Sequence, residues 1–358
     1  MRKRSLIIII CLFLTVLSMN TSCFKKGEKK IEVQWENTLS LPGCAGMPEN
    51  VGLAGAYSGI VEGKLLVLGG ANFPDKYPWE GGTKAWWPAL YSYDLNTKIW
   101  TVYDHFLDQP LAYGVSISLP EGLLCIGGCD RMQCSDKVFL IKRERESFAI
   151  DSVSYPYLPV PLANATGAVC GNCIYIAGGQ ESMVNERSTH HFYMLDLLHK
   201  EKGWQRMPVW DGPSLSYAVG VAQSGRFYLF SGRSYAPDEA TVEHTEGYVF
   251  EPSTRQWDKL TGTFPVMAGT AVPYERDKIV LLGGVEELLP TSPEHPGFSR
   301  KVRVLDTEAN TLIDTLNCPY PVPVTTNTVY TKNTVYIVSG EIQPGIRTPL
   351  ILKGTFRK

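Results

Sequence analysis

Leu65-Leu66-Val67-Leu68-Gly69-Gly70 is the stretch that decides the fold, because the same phrase returns five more times along the chain. It recurs as Leu123-Leu124-Cys125-Ile126-Gly127-Gly128, Ile174-Tyr175-Ile176-Ala177-Gly178-Gly179 and Phe227-Tyr228-Leu229-Phe230-Ser231-Gly232. The last two copies are Ile279-Val280-Leu281-Leu282-Gly283-Gly284 and Val335-Tyr336-Ile337-Val338-Ser339-Gly340. A continuous run of apolar, often β-branched residues reads as a strand buried on both faces, and the small doublet ends it. The last residues of successive doublets stand 58, 51, 53, 52 and 56 positions apart. A period near fifty residues predicts an all-β, six-bladed propeller that uses the chain as one domain.

Working outward, each repeat has the same order. A small-residue inner strand and a tight turn precede the apolar strand, and the doublet, a loop, a third strand and an outer strand follow. Glycine doublets at this period mark kelch-type blades. Glu62-Gly63, Glu121-Gly122, Gly171-Asn172 and Ser224-Gly225 occupy the hairpin turns, where positive φ favours glycine and asparagine. Tyr93-Asp94, Leu195-Asp196 and Leu305-Asp306 mark the ends of third strands, and Trp100, Trp204 and Trp257 mark outer strands. The sixth repeat stops after a third strand over Pro349–Lys353 and lacks an outer one. Ile31-Glu32-Val33-Gln34-Trp35, followed by Leu39-Ser40-Leu41-Pro42, supplies that outer strand and a linker. The expectation is a single propeller over residues 31–358, closed by its own N-terminal strand.

The segment before it reads as processing signal. Met1-Arg2-Lys3-Arg4 is a basic start, and the apolar run Leu6–Leu17 is short for a membrane span. Residues 1–22 ending Asn20-Thr21-Ser22, with Cys23 next, look like a bacterial lipoprotein signal that leaves Cys23 acylated and residues 23–30 as a tether. The other reading is an ordinary signal peptide cut nearby. Either one places the protein in the bacterial cell envelope, in the periplasm. A net charge of −2 without a basic tract beyond this segment argues against nucleic acid as a partner. Of nine cysteines, an odd seven lie beyond Cys23, against a complete disulfide framework, although Cys129 and Cys134 flank one loop and could bridge. Cys170-Gly171-Asn172-Cys173 straddles a turn with no second pair in a zinc pattern.

In a propeller the loops after all six doublets gather at one mouth of the central channel, together with the segments entering the inner strands. Function is expected there. The sixth such loop reads Gly340-Glu341-Ile342-Gln343-Pro344-Gly345-Ile346-Arg347. Pro344-Gly345 forces a tight turn, which brings Glu341 and Arg347 onto opposing arms of one hairpin. They form either a structural ion pair or a working pair, with the guanidinium receiving a carboxylate and the glutamate moving protons. Asn72, Arg131, Glu181, Arg187, Arg233 and Glu286 fall at matching loop positions, and Tyr113 enters an inner strand; each is a candidate binding residue or a solvated loop group. The loop Ala71–Pro88, with Trp79, Trp86 and Trp87, is a candidate lid or sugar-stacking wall, or a loop packed by its own tryptophans.

The motif Gly-Glu-x-x-Pro-Gly-x-Arg, with Gly52-Leu53-Ala54-Gly55-Ala56-Tyr57-Ser58-Gly59-Ile60, Gly69-Gly70-Ala71-Asn72-Phe73 and Ala112-Tyr113-Gly114-Val115-Ser116, resembles the N-acetylneuraminate epimerase (sialic acid mutarotase) family. The order of these motifs is rotated relative to the best-known members, so the resemblance is to a cyclically permuted branch. It covers essentially all of the chain beyond the signal. The resemblance implies an isomerase acting on sialic acid without a cofactor, with Glu341 and Arg347 as the principal pair. A copper-radical oxidase would need clustered histidine ligands, which the six histidines do not supply: His190 and His191, for example, are adjacent in a strand and point apart. A sialidase would need Asp-box repeats, which do not occur. The alternative of another class is a non-catalytic carbohydrate- or protein-binding propeller.

Overall fold

The computed structural model describes residues 31–357; the signal segment, Cys23 and the tether lie outside the described residues. Six four-stranded antiparallel sheets follow one another along the chain. Blade 1 is built from Tyr57–Val61, Lys64–Leu68, Leu90–Asp94 and Trp100–Tyr103. The inner strands of blades 2 to 6 start at Val115, Thr166, Val219, Thr270 and Thr328, and the apolar runs form the second strand of every blade. The six-bladed all-β architecture read from the doublets is therefore the observed one. Small shifts occur in the turns. Leu119 pairs with Gly122, so the second hairpin turns on Pro120-Glu121 and Gly122 already belongs to the strand.

Ring closure follows the expected route. Glu32–Ser40 pairs antiparallel with Leu350–Arg357, from Glu32 opposite Arg357 to Ser40 opposite Leu350. The closing strand is longer than expected, since Leu39 and Ser40 continue it past a bulge instead of forming a linker. Trp35 lies opposite Gly354, where a Cβ would stand 2.6 Å from the indole ring. Only a glycine leaves the indole room to lie flat on the neighbouring strand.

The apolar cores lie between blades. Tyr57, Leu66 and Leu68 of blade 1 pack against Leu123, Phe139 and Ile141 of blade 2. Tyr175 and Phe192 of blade 3 meet Phe227, Phe250 and the outer-strand Trp257 of blade 4. Blade 6 contacts blade 1 in the same manner through Val338 and Ile351 against Val67 and Tyr91. Trp204 and Trp257 also donate their indole N–H groups to Pro156 and Pro208 carbonyls, at 2.9 and 2.8 Å. Those carbonyls lie in the segments arriving from the preceding blades, so each tryptophan ties two blades together.

A second closed circuit surrounds the channel mouth. Gly55, Tyr113, Asn164, Tyr217, Ala268 and Thr325 all have positive φ, between 53° and 66°. Each donates its backbone N–H to the carbonyl of the equivalent residue one blade earlier, at 2.7–3.0 Å, and Gly55 completes the loop by donating to Thr325. Left-handed backbone costs a non-glycine residue about 1–2 kcal/mol, and five of these six are not glycine. The circuit holds them there because each is fixed by two neighbours at once. Gly55 is glycine for a further reason: a Cβ there would lie 2.5 Å from the Tyr113 ring.

If the N-terminal strand closes the ring, Trp35→Ala should lower stability by about 2 kcal/mol, the scale of truncating a partly buried tryptophan. Chemical unfolding of the two proteins measures this. An unchanged midpoint would mean that the strand contributes nothing to closure.

Candidate active site

The residue immediately after each doublet bridges the residue that precedes the mouth circuit. The bridges join Ala54 to Ala71, Ala112 to Cys129, Ala163 to Gln180, Ser216 to Arg233, Met267 to Val285 and Val324 to Glu341. These short ladders extend the blades into the mouth. Because strand side chains alternate in direction, the residue after the doublet and the next one face opposite ways. The inward set contains Arg233 and Glu341, which occupy equivalent places two blades apart.

Glu341 and Arg347 stand where the sequence put them. Glu341–Gln343 pairs with Ile346–Arg347 across the Pro344-Gly345 turn, and Glu341 lies directly opposite Arg347. Arg347 Nη2 donates to Glu341 Oε1 at 2.7 Å, with the two side chains only 4% and 16% exposed. Burial at this level puts the pair well beyond a solvent-screened surface bridge. Among the described residues, the buried Arg347 Nε and Nη1 have no hydrogen-bond partner, and the guanidinium lies over the Phe73 ring, 4.7 Å from the centroid. Unpaired buried donors cost free energy, so a site of this kind is completed by what binds to it.

Beside the pair lies a cavity of about 260 Å³, bordered by Glu341, Lys84, Tyr113, Tyr217, Arg233 and His295 among others. Tyr113, Tyr217, Ala268 and Thr325 also border the central channel below, a space of about 380 Å³. The mouth circuit is thus the sill between the two spaces. Arg233 is held between aromatic rings, 4.2 Å from the Tyr217 centroid and 5.2 Å from that of Tyr235, and its Nε has no partner among the described residues. Lys84 lies 4.3 Å from the Tyr113 centroid and 5.3 Å from that of Trp86. Burial, and then the Arg347 charge, push the Lys84 ammonium below the usual lysine range. Burial raises both tyrosine hydroxyls, Tyr217 to about 12. Lys84 and Arg233 border the cavity and Arg347 stands behind its wall, bonded to the part-buried Glu341; Glu287 is an exposed carboxylate at the rim. This balance suits an anionic ligand with polar groups to satisfy.

Of the remaining candidates, Asn72, Glu181 and Glu286 are turned away by the alternation of their ladders. Tyr113 and Arg233 border the cavity. Asn72 follows Ala71 and is fully buried: it donates to the Gly52 carbonyl at 2.7 Å and accepts from Trp87 Nε1 at 2.8 Å. Glu286 follows Val285 and accepts from Ser299 Oγ at 2.6 Å, Lys301 Nζ at 2.9 Å and Arg303. Burial would raise its carboxyl, but those three donors outweigh burial and leave it at about 2. Glu181 follows Gln180, is exposed, and meets His191 Nε2 at 2.6 Å. Arg131 and Arg187 are exposed and border neither the cavity nor the channel.

None of the three tryptophans of the Ala71–Pro88 loop borders the cavity. Trp79 stacks on Tyr77, 5.0 Å between centroids, and Trp87 bonds to Asn72. Trp86 lies opposite Ala71 on a two-residue ribbon beside the first doublet, and the loop's contribution to the site is the preceding Lys84. Sequence reading missed Lys84 and Tyr217. Lys84 carried no signal, whereas Leu215-Ser216-Tyr217-Ala218-Val219 repeats Leu111-Ala112-Tyr113-Gly114-Val115 and could have been paired with it.

Comparison with known proteins bears on this site. The family model described as N-acetylneuraminate epimerase matches residues 17–150 and 155–292. The chain is 24% identical over 230 residues to the N-acetylneuraminate epimerase of Yersinia pestis (strain Pestoides F), a match covering 56% of this chain and 57% of that protein. It is 24% identical over 257 residues to the protein of the same name from Salmonella arizonae, covering 62% and 65%. The Haemophilus influenzae (strain 86-028NP) protein of that name is 23% identical over 237 residues, covering 59% and 61%. The chain therefore spans somewhat more than half the length of the curated relatives it matches.

Proposed function

The chain belongs to the N-acetylneuraminate epimerase family, and on that premise we propose that it interconverts the anomers of N-acetylneuraminate at the Glu341–Arg347 end of the mouth cavity. The observation that carries the reading is the buried pair itself: a carboxylate at the cavity wall, 2.7 Å from a guanidinium with two unpartnered donors. A sugar acid supplies what they lack, a carboxylate oxygen for a guanidinium, and Arg233 offers a second one two blades round the ring. The rotated motif order supports the permuted branch, since a linear comparison follows a ring only to the point where it is cut. Matches covering just over half of each chain fit that arrangement.

Anomers interconvert when the ring opens at the anomeric carbon and recloses on the other face. Glu341 takes the proton of the anomeric hydroxyl, the bond from the anomeric carbon to the ring oxygen breaks, and the ring oxygen gains a proton. Rotation about the bond beside the carbonyl presents its other face, and the same transfers run in reverse. Arg347 holds Glu341 in place through the 2.7 Å bond, and with Arg233 receives the substrate carboxylate. The uncatalysed reaction already proceeds in water, so general acid–base contributions of about 10²-fold each are sufficient. No cofactor enters any of these steps.

We further propose a periplasmic, lipid-anchored protein, on the strength of the basic and apolar start and of Cys23. Fractionation of cells expressing wild type and Cys23→Ser tests the anchor. Wild type should sediment with membranes and the variant remain soluble; equal distribution contradicts the anchor.

The catalytic reading is tested by proton NMR of freshly released α-N-acetylneuraminate. Wild type should hasten the approach to the β-anomer, and Glu341→Gln should lose about 10²-fold or more of that rate. Arg347→Ala should lose as much through both binding and turnover. A wild type that leaves the spontaneous rate unchanged would instead point to a binding propeller.

A further inference from the structure

Resting on the function proposed above, ring opening needs two proton carriers, and the hairpin supplies one. Glu181 and Glu286, the carboxylates at neighbouring loop positions, are engaged elsewhere by His191 and by Ser299, Lys301 and Arg303. The cavity's other proton-bearing groups are Lys84, Tyr113, Tyr217, His295 and Glu287, the last exposed at the rim, where solvent surrounds its carboxylate. His295 spends Nδ1 on the Gly297 N–H at 3.0 Å and packs edge-on against Phe298, as a histidine that organises its own loop does. The two tyrosines are weakened as acids near neutrality, because burial raises both hydroxyls.

Lys84 differs from all of these. Among the described residues its ammonium makes no hydrogen bond and no ion pair, and its contacts are the faces of Tyr113 and Trp86. It is also placed by structure: the ribbon pairing Asn72 with Ala85 and Ala71 with Trp86 fixes the residue that follows it. An ammonium held against two rings at a cavity wall is oriented but not neutralised, which leaves its protons available to a bound ligand.

We propose that Lys84 is the second proton carrier, giving a proton to the sugar ring oxygen while Glu341 takes one from the anomeric hydroxyl. In the opening step the anomeric O–H bond breaks toward Glu341 and a carbonyl forms. The electron pair of the breaking carbon–oxygen bond stays on the ring oxygen, which is protonated by Lys84. The products are a carboxylic acid at Glu341, a neutral amine at Lys84 and the open-chain keto acid. Closure on the opposite face returns both protons, so no co-reactant is consumed. The charged and titratable groups facing Lys84 are Glu341 and Arg347 from blade 6, Tyr113 and Cys129 from blade 2 and Tyr217 from blade 4. Burial and Arg347 weaken its hold on the proton, which moves it toward the range where general acids work best.

The test compares wild type, Lys84→Arg, Lys84→Met and His295→Gln by NMR of anomer exchange of N-acetylneuraminate across pH. Arginine keeps the charge and does not release its proton. Both Lys84 variants should lose about 10²-fold in kcat. Lys84→Arg should keep KM within a few-fold and lose the alkaline limb that Lys84 deprotonation gives wild type. A Lys84→Arg enzyme with wild-type kcat and only a changed KM would make the residue a holder of the substrate carboxylate and overturn the proposal. Loss of kcat and of the alkaline limb in His295→Gln alone would overturn it in favour of the histidine. A wild type without activity on this sugar overturns both this assignment and the function on which it rests, whereas an active wild type with indifferent Lys84 variants overturns this assignment alone.

Discussion

Six backbone hydrogen bonds around the channel mouth constrain everything above them. Each links the amide of one circuit residue to the carbonyl of the equivalent residue in the previous blade, and the circuit closes from Gly55 back to Thr325. No member can leave its left-handed conformation without breaking two bonds, so the local cost of positive φ at Tyr113, Tyr217 or Thr325 is carried by the whole circuit. The geometry that follows is set by it. The circuit fixes the direction in which Tyr113 and Tyr217 enter the mouth, and the bridge one residue earlier fixes Arg233 and Glu341 beside them. Outer closure by Glu32–Ser40 performs the corresponding task at the rim, where an unpaired edge would otherwise face solvent.

On this frame the site concentrates positive charge. Lys84, Arg233 and Arg347 come from blades 1, 4 and 6, and only Glu341 opposes them from within. Three cations drawn out of water cost free energy, part of which is returned by rings: Tyr113 and Trp86 for Lys84, Tyr217 and Tyr235 for Arg233, Phe73 for Arg347. The rings supply attraction without removing donors, so the cations remain able to receive an anion. The same desolvation that lowers Lys84 raises Tyr113 and Tyr217, separating groups that lie side by side into a better acid and two poorer ones. Separations of this sort arise where burial is combined with one specific neighbour, and they are common at reactive centres.

Much of this was legible in the chain before its structure. The doublets gave blade number and order, because a buried strand and a positive-φ doublet leave a strong local pattern. Pro344-Gly345 gave the Glu341–Arg347 register, because a two-residue turn fixes what stands opposite what. The finer readings at the mouth were less accessible for a physical reason. Asn72, Glu181 and Glu286 lie one residue beyond the inward position, and a shift of one residue in a strand reverses the side-chain direction. Only the bridges to Ala54, Ala163 and Met267 fix that phase, and they are long-range contacts invisible to a local pattern. Lys84 was hidden similarly: its place depends on a ribbon formed after the chain has made a long excursion between Asn72 and Ala85.

On the proposed function, the mouth circuit presents Glu341, Arg347 and their neighbours as one site for a sugar acid. The most direct test is a crystal structure of the protein with N-acetylneuraminate bound. The account predicts the sugar in the cavity beside Tyr113 and Tyr217, with the anomeric hydroxyl within hydrogen-bond reach of Glu341 and the carboxylate on a guanidinium of Arg347 or Arg233. A sugar seated elsewhere on the propeller, with the Glu341–Arg347 pair untouched, would contradict it.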